Sequence, residues 1–464
     1  MDGHEITELN ISSLERTKRI DAEFYKKEHI AVDEVLSSWD RKSIADCFYV
    51  SDGNHMSISD SFCEIGVPYY RGQDIYNLFI ENASPLMIDR TTFDKPQMRR
   101  SHLQKGDILM SIVGAIVGNS AMVTSENPAT CSCKLSIMRS KDNGISPELL
   151  LVYIKTRYGQ VQIQKFKRGA AQTGLLLEDF DQLFIPVFGD KFQEKIGQLV
   201  NRIYKRMQEA VTTYENAQNY LNDEIGVEAD FPQNIATEKT LSNSFKATGR
   251  LDAEYYQEKY QAYEATILSA KQGYTFVKKE FEPVKEKCTR NQEAYNYVEI
   301  GDVDVGTGSV SFNAICTENL PDNAKILTRV GDLLVSTVRP NRGAVAILES
   351  DDLLVSGAFT VLRESGNYPK EVLQVLLRTS MYRDWLLRFN VGTSYPVIKD
   401  EDVLNMPVPI LGDDVKQDVV TKVNESASLR RQSKQLLEYA KQAVEMAIEQ
   451  GENAALAWLK DKVK

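Results

Sequence analysis

A chain of 464 residues is long enough for roughly two to four domains, each with an ordinary core. Its formal charge of −11 and isoelectric point near 5.2 exclude a protein that coats nucleic acid by overall basicity, so any phosphate contact has to come from local basic faces. The cysteines Cys47, Cys63, Cys131, Cys133, Cys288 and Cys316 bring only Cys131 and Cys133 close, as C-x-C, which suits neither a disulfide framework nor a zinc site and fits a reducing cytoplasm. No stretch approaches about 18 consecutive apolar residues, and MDGHEITELNISSLERTKRID mixes charges where a signal segment would be apolar. A soluble, cytoplasmic chain that is not exported is the expectation.

In chain order, RIDAEFY (19–25) opens a first module. YYRGQDI (69–75) sets Arg71 beside Gly72 and two tyrosines, where the guanidinium could meet guanine bidentately or pair with Asp74. GDILMSIVGAIVGNSAMV (106–123) and SCKLSIMR (132–139) contain short apolar, β-branched runs that predict buried strands between Gly, Asn and Asp turns. SPELLLVYIKTRYGQVQIQKF predicts a helical stretch, and GAAQTGLLLEDFDQLFIP (169–186) a turn and a closing strand. From Phe192 to about Ile225, apolar or small residues recur in steps of three and four at Ile196, Leu199, Ile203, Met207, Ala210, Tyr214, Ala217 and Leu221, which predicts one long amphipathic helix.

The same series then returns. RLDAEYY stands at 250–256, YVEIGDV at 297–303, GDLLVSTVRPNRGAVAIL at 331–348, SGAFTVLR at 356–363, a helical stretch PKEVLQVLLRTSMYRDWLLRF, and GTSYPVIKDEDVLNMPVP at 392–409. A second long helix from about Val415 to Gln450 carries Val419, Val423, Ala427, Leu437, Ala440, Val444 and Ala447, with a polar middle from Arg430 to Gln435. The matched order is a tandem duplication of a unit of roughly 225 residues, far longer than a solenoid repeat. The fold class expected is α+β: two tandem α/β modules, each followed by a long helix. A long helix with one apolar stripe cannot satisfy itself alone, so the two pack as an antiparallel coiled-coil-like pair with pseudo-two-fold symmetry. The alternative is that each helix packs on its own module.

This duplicated order resembles the specificity subunits of type I restriction-modification systems, over nearly the whole chain. The resemblance implies target-recognition domains at 1–189 and 246–412, conserved-region helices at 190–226 and 413–464 (the latter with a C-terminal tail), and a linker at 227–245. It further implies double-stranded DNA as ligand, two adenine methyltransferase subunits as partners, and ATP-dependent restriction subunits reached through them. A helix of about 33 residues spans roughly 50 Å, so the helices would act as a ruler between two unlike half-sites at most roughly 15 base pairs apart.

Candidate DNA contacts follow from composition. In KTRYGQVQIQKFKRGAAQTG, Lys155, Arg157, Lys165, Lys167 and Arg168 occur with no acidic residue and with interleaved aromatics, which suits phosphate contact; a solvated basic helix face is the alternative. The second module offers Arg378, Arg383 and Arg388, then Thr393, Ser394 and Tyr395 in the turn matching Ala170, Ala171 and Gln172, with Gln172 and Tyr395 as base-edge readers. The loop VRPNRGA supplies Arg339, Asn341 and Arg342 on a proline-rigidified turn. Gly106, Gly118, Gly331 and Gly343 serve turns, and Asp107 and Asp332 cap turns in preference to holding a metal.

No phosphate-binding loop, H-E-x-x-H, G-x-S-x-G or amino-methyltransferase signature is present. The four histidines, His4, His29, His55 and His102, all lie in the first quarter of the chain, so a duplicated histidine mechanism is excluded. Glu178 and Asp179 recur as Glu401 and Asp402 in a helix-start pattern. The expectation is a reader without catalysis, metal or cofactor. The rival is an enzyme, or an effector of another phage-defence system, on a duplicated scaffold.

Overall fold

The computed structural model describes residues 7–12, 19–80, 85–169, 173–227 and 237–463. They gather into two compact units, one holding residues up to Met207 together with those from Arg431 onward, the other running from Gln208 to Arg430. Both units are mixed helix and sheet.

In the first unit a four-stranded antiparallel sheet runs in the order Phe48–Asp52, Leu135–Ser140, Ile108–Ser111, Ser120–Met122. Its strands read as unbroken apolar runs because both faces are covered. Ile108, Met110 and Met138 enter the core shared with the helices, while Leu109, Leu135 and Ile137 enter a second core on the other face. A second sheet in the order Phe62–Cys63, Leu86–Ile88, Val67–Tyr70, Thr130–Cys131 contains one parallel pairing, between its last two strands.

The second unit repeats this plan. Phe281–Pro283, Phe359–Glu364, Leu333–Ser336 and Val345–Ile347 form the antiparallel sheet, with Leu333, Val335 and Leu362 on the helix side and Leu334, Phe359 and Val361 on the other. Its second sheet, Asn313–Cys316, Ala294–Val298, Leu353–Ser356, Ala324–Leu327, keeps the corresponding parallel pair and adds its outer strand beyond Leu353–Ser356 instead of at the opposite edge. Each unit closes with a two-stranded ribbon, Arg41–Ser43 on Phe184–Pro186 and Tyr274–Phe276 on Pro407–Pro409.

Each helical stretch expected as continuous is broken once, at a threonine. Pro147–Lys155 and Arg157–Phe166 are separated by Thr156, and Lys370–Arg378 and Ser380–Leu386 by Thr379. In both places the extended threonine caps the second helix: its hydroxyl accepts from the amide of Gly159 or Tyr382 and donates to the carbonyl of Tyr153 or Leu376. Thr156 and Thr379 thus end one helix and start the next.

The two long helices are Asp190–Ile225 and Asp413–Gln450. In the first unit, Ile196, Leu199 and Ile203 share a core with Ala440, Val444 and Ala447, and the amide of Gly189 donates to Glu452 just past the end of the second helix. In the second unit, Tyr214, Ala217 and Leu221 share a core with Val415, Val419 and Val423, and Ser426 donates its hydroxyl to the carbonyl of Ala210. Ala210 beside Ser426 and Ile225 beside Val415 make the pairing antiparallel. Both alternatives for these helices are met at once, since each core also contains the module's own sheet and helices. Leu437, expected at the seam, is only half-buried; Leu436 is the buried residue there. Residues beyond Gln450, expected as a tail, form the helix Glu452–Lys462, whose Ala455 and Leu459 are buried in the first unit's core. No helix among the described residues is long and apolar enough to cross a membrane.

Candidate nucleic-acid interface

In each unit, folding brings together two turns that are far apart in sequence. In the first, the loop after Ile108–Ser111 pairs with the turn after residue 168: Val113 bridges Gly174, the amide of Gly114 donates to Thr173 (2.8 Å), and that of Leu175 donates to Ile112 (2.9 Å). A side chain on Gly174 would meet the Ile112 carbonyl at 2.8 Å, so glycine permits the approach. In the second, Val338 bridges Val397 and the amide of Arg339 donates to Pro396 (2.7 Å). This places Arg339, Asn341 and Arg342 with Thr393, Ser394 and Tyr395, all exposed except at their backbone contacts, and Arg339 lies 5.4 Å from the centre of the Tyr395 ring. Arg339 holds a left-handed backbone (φ +52), an arrangement a non-glycine residue adopts only where its surroundings impose it. Gln172, Ala170 and Ala171 lie outside the described residues.

The framework of each unit repeats the same contacts. Asp107 accepts from the Gln104 amide (2.8 Å) and takes a bidentate pair from Arg139 (2.8 and 2.7 Å); Asp332 accepts from the Arg329 amide (2.8 Å) and takes the same pair from Arg363 (2.7 and 2.7 Å). Both aspartates are 1 % exposed, and the hydrogen bonds raise the pKa of each arginine. The aspartates cap turns, as expected; the arginines that hold them close SCKLSIMR and SGAFTVLR, and their coincidence in the aligned segments is the sequence signal for this pairing. Asp179 and Asp402 likewise cap the turns begun at Leu176 and Lys399 (2.7 and 2.8 Å).

The expected uncompensated basic run does not survive folding, because carboxylates arrive from elsewhere in the unit. Lys165, whose side chain is 10 % exposed, pairs with Asp33 and sits over Phe24; Arg168 pairs with Asp179. Arg157 is exposed but donates to Glu449 (3.2 Å), and its backbone amide donates to Glu445 (2.7 Å). Lys155 is turned inward, donating to the Ser120 carbonyl (2.8 Å), and burial, reinforced by Lys441, pushes its pKa down to about 8. Lys167 is partly exposed and makes no ion pair among the described residues. Arg71 resolves to the ion pair with Asp74 (3.1 Å), inside a turn that Glu299 and Asp302 repeat in the second unit.

The arginines of the second helical pair are corrected in the same way. Arg378 is 6 % exposed and donates to the carbonyls of Val305 and Gly306 (2.7 and 2.8 Å). Arg388 pairs with Glu264 (3.1 Å) over Tyr255. Arg383 is half-buried, and burial, then Arg378, lowers its pKa. Arg378 and Arg388 are thus committed to partners within the unit and do not form an exposed basic helix face.

No family model matches the chain, and no curated protein does. Among solved structures the chain is similar to S subunits of type I restriction-modification systems. One is the S subunit from M. genitalium, 11 % identical over 88 % of this chain and 95 % of that one, with a TM-score of 0.40. Another is the HsdS subunit from Thermoanaerobacter tengcongensis, 14 % identical over 89 % and 97 %, TM-score 0.31. The type IIG restriction endonuclease BpuSI matches at 11 % identity over 40 % of this chain and 29 % of that one, TM-score 0.30.

Proposed function

We propose that this chain is a sequence-specific DNA-binding subunit, without catalysis of its own, that reads a bipartite, asymmetric duplex target and brings partner adenine methyltransferase and restriction subunits to it. The observation that carries this reading is the contrast between framework and tip. Both units hold the same arginine pair on a buried aspartate, the same capped turns and the same bridged loops, yet the loop is VGAIVGN in one and VRPNRGA in the other. A kept scaffold with unlike tips suits two unlike half-sites. Arg339, Asn341, Arg342 and Tyr395 are the contacts proposed for the second half-site; Lys167 and Gln172 are those for the first. The long helices would carry the partner subunits, which accords with an acidic chain that keeps only local positive faces.

Selection of duplexes from a random pool by the full chain with its methyltransferase partner tests this. Two short unlike blocks at one fixed gap are expected. A single contiguous block, or methyl transfer from S-adenosylmethionine by the chain alone, would overturn it.

A further inference from the structure

The three arginines Arg378, Arg383 and Arg430 of the second unit line one cleft of about 180 Å³, together with Tyr214. Two come from the broken helical pair and one from the second long helix; Tyr214 comes from the first. Tyr214 stacks under two of the charges, with the Arg378 and Arg430 guanidiniums 4.6 and 5.6 Å from its ring centre.

What the cleft lacks is an anion. None of the three arginines makes an ion pair among the described residues, although Glu215 lines the cleft and Asp304 and Glu349 act on Arg430. Their hydrogen bonds are also incomplete. Arg378 spends one terminal nitrogen on Val305 and Gly306 and leaves Nη1 buried without a partner; Arg430 donates to the Thr307 carbonyl and leaves Nε without one, as does Arg383. Buried donors of this kind are ordinarily satisfied. Burial, then Arg378, pushes the Arg430 pKa down to about 10, so the charges oppose one another where water is scarce. Glycine backbone crowds the same groups: a side chain on Gly308 would meet Arg378 Nη1 at 2.6 Å, and one on Gly343 would meet Arg383 Cδ at 2.8 Å.

The two long helices start at Asp190 and Asp413, 223 residues apart, and Thr156 and Thr379 keep that spacing. By it, the first unit has Lys155, Gln160, Met207 and Leu437 where the second has Arg378, Arg383, Arg430 and Tyr214. The scaffold therefore does not require three guanidiniums.

We propose that this cleft is a binding site for a phosphate-class oxyanion, held by Arg378, Arg383 and Arg430. Planar guanidiniums present paired N–H donors that match two oxygens of a tetrahedral anion, and the volume admits one such anion with a few waters. The site stands apart from the reading of DNA by the loop tips and does not depend on it.

The test titrates inorganic phosphate into the full chain at constant ionic strength, balanced with chloride, and follows the phosphorus NMR line width and the Tm. Saturable broadening and a saturable rise in Tm are expected. Arg430→Met and Arg383→Gln, each importing the first unit's residue, should weaken phosphate binding roughly tenfold or more. If one variant loses its far-UV circular dichroism, the other decides. Adding a short duplex separates the sources: displacement of bound phosphate assigns the site to a backbone phosphate, retention to a free ion, and both uphold it. No response beyond that of chloride, or equal broadening in folded variants and the unaltered chain, overturns it.

Discussion

The place where the broken helical pair meets the long helices is built twice on one plan and filled with opposite chemistry. In the first unit it holds Met207 and Leu437, with Lys155 as its inward-turned, partly exposed cation; in the second it holds Arg378, Arg383 and Arg430 around Tyr214. The difference teaches how a duplicated fold disposes of a buried charge. Lysine can shed its proton when desolvated, and Lys155 is already pushed down to about 8. Arginine cannot follow that route, so the second unit needs neighbours that answer the charge instead.

The largest effects should come from what the units share. Arg139→Ala and Arg363→Ala each leave a buried aspartate without its partner and should cost about 3 kcal/mol in urea unfolding. Losses that differ by more than about 2 kcal/mol between the two would break the equivalence of the frameworks.

Lys155 sharpens the contrast through pH. The folded chain releases its proton near pH 8, whereas the unfolded chain keeps it to the ordinary value of 10.5. The unfolded state holds more protons in that window, so stability rises with pH across it, and the contribution approaches roughly 3 kcal/mol. Lys155→Met should remove that part of the rise, as read from the difference between the two stability profiles; an unchanged profile would show that the lysine keeps its proton.

At the tips the units should part company. Arg342→Ala is expected to weaken DNA binding by about 1–3 kcal/mol and to relax one half-site if it reads a base. An even loss over all sequences would make it a phosphate contact. Lys167→Ala should have the smallest effect, a uniform weakening with a salt slope reduced by about one. A change in the preferred half-site would assign Lys167 to base reading.

Much of the fold was legible in the chain. The aligned G-D segments, the apolar runs of Ile108–Ser111 and Leu333–Ser336, and the three-and-four stepping of Ile196, Leu199, Ile203, Ala210 and Leu221 all mark buried positions. The breaks at Thr156 and Thr379 were harder to see, since a single threonine in an apolar helical run gives only a weak capping signal. The candidate site was legible only at its exposed turns: VRPNRGA and GTSYP announced themselves by composition, but not that they would lie side by side.

The sequence by itself determined the duplication, the strands and the long helices, because periodicity and turn chemistry act over a few residues. Only the tertiary structure decided which charges are free. Lys165 is answered by Asp33 and Arg157 by Glu449, partners 132 and 292 residues away, while Arg378, Arg383 and Arg430 converge with no carboxylate paired to them among the described residues. Local composition records how many charges a segment carries; burial and the approach of distant groups determine what each can still bind.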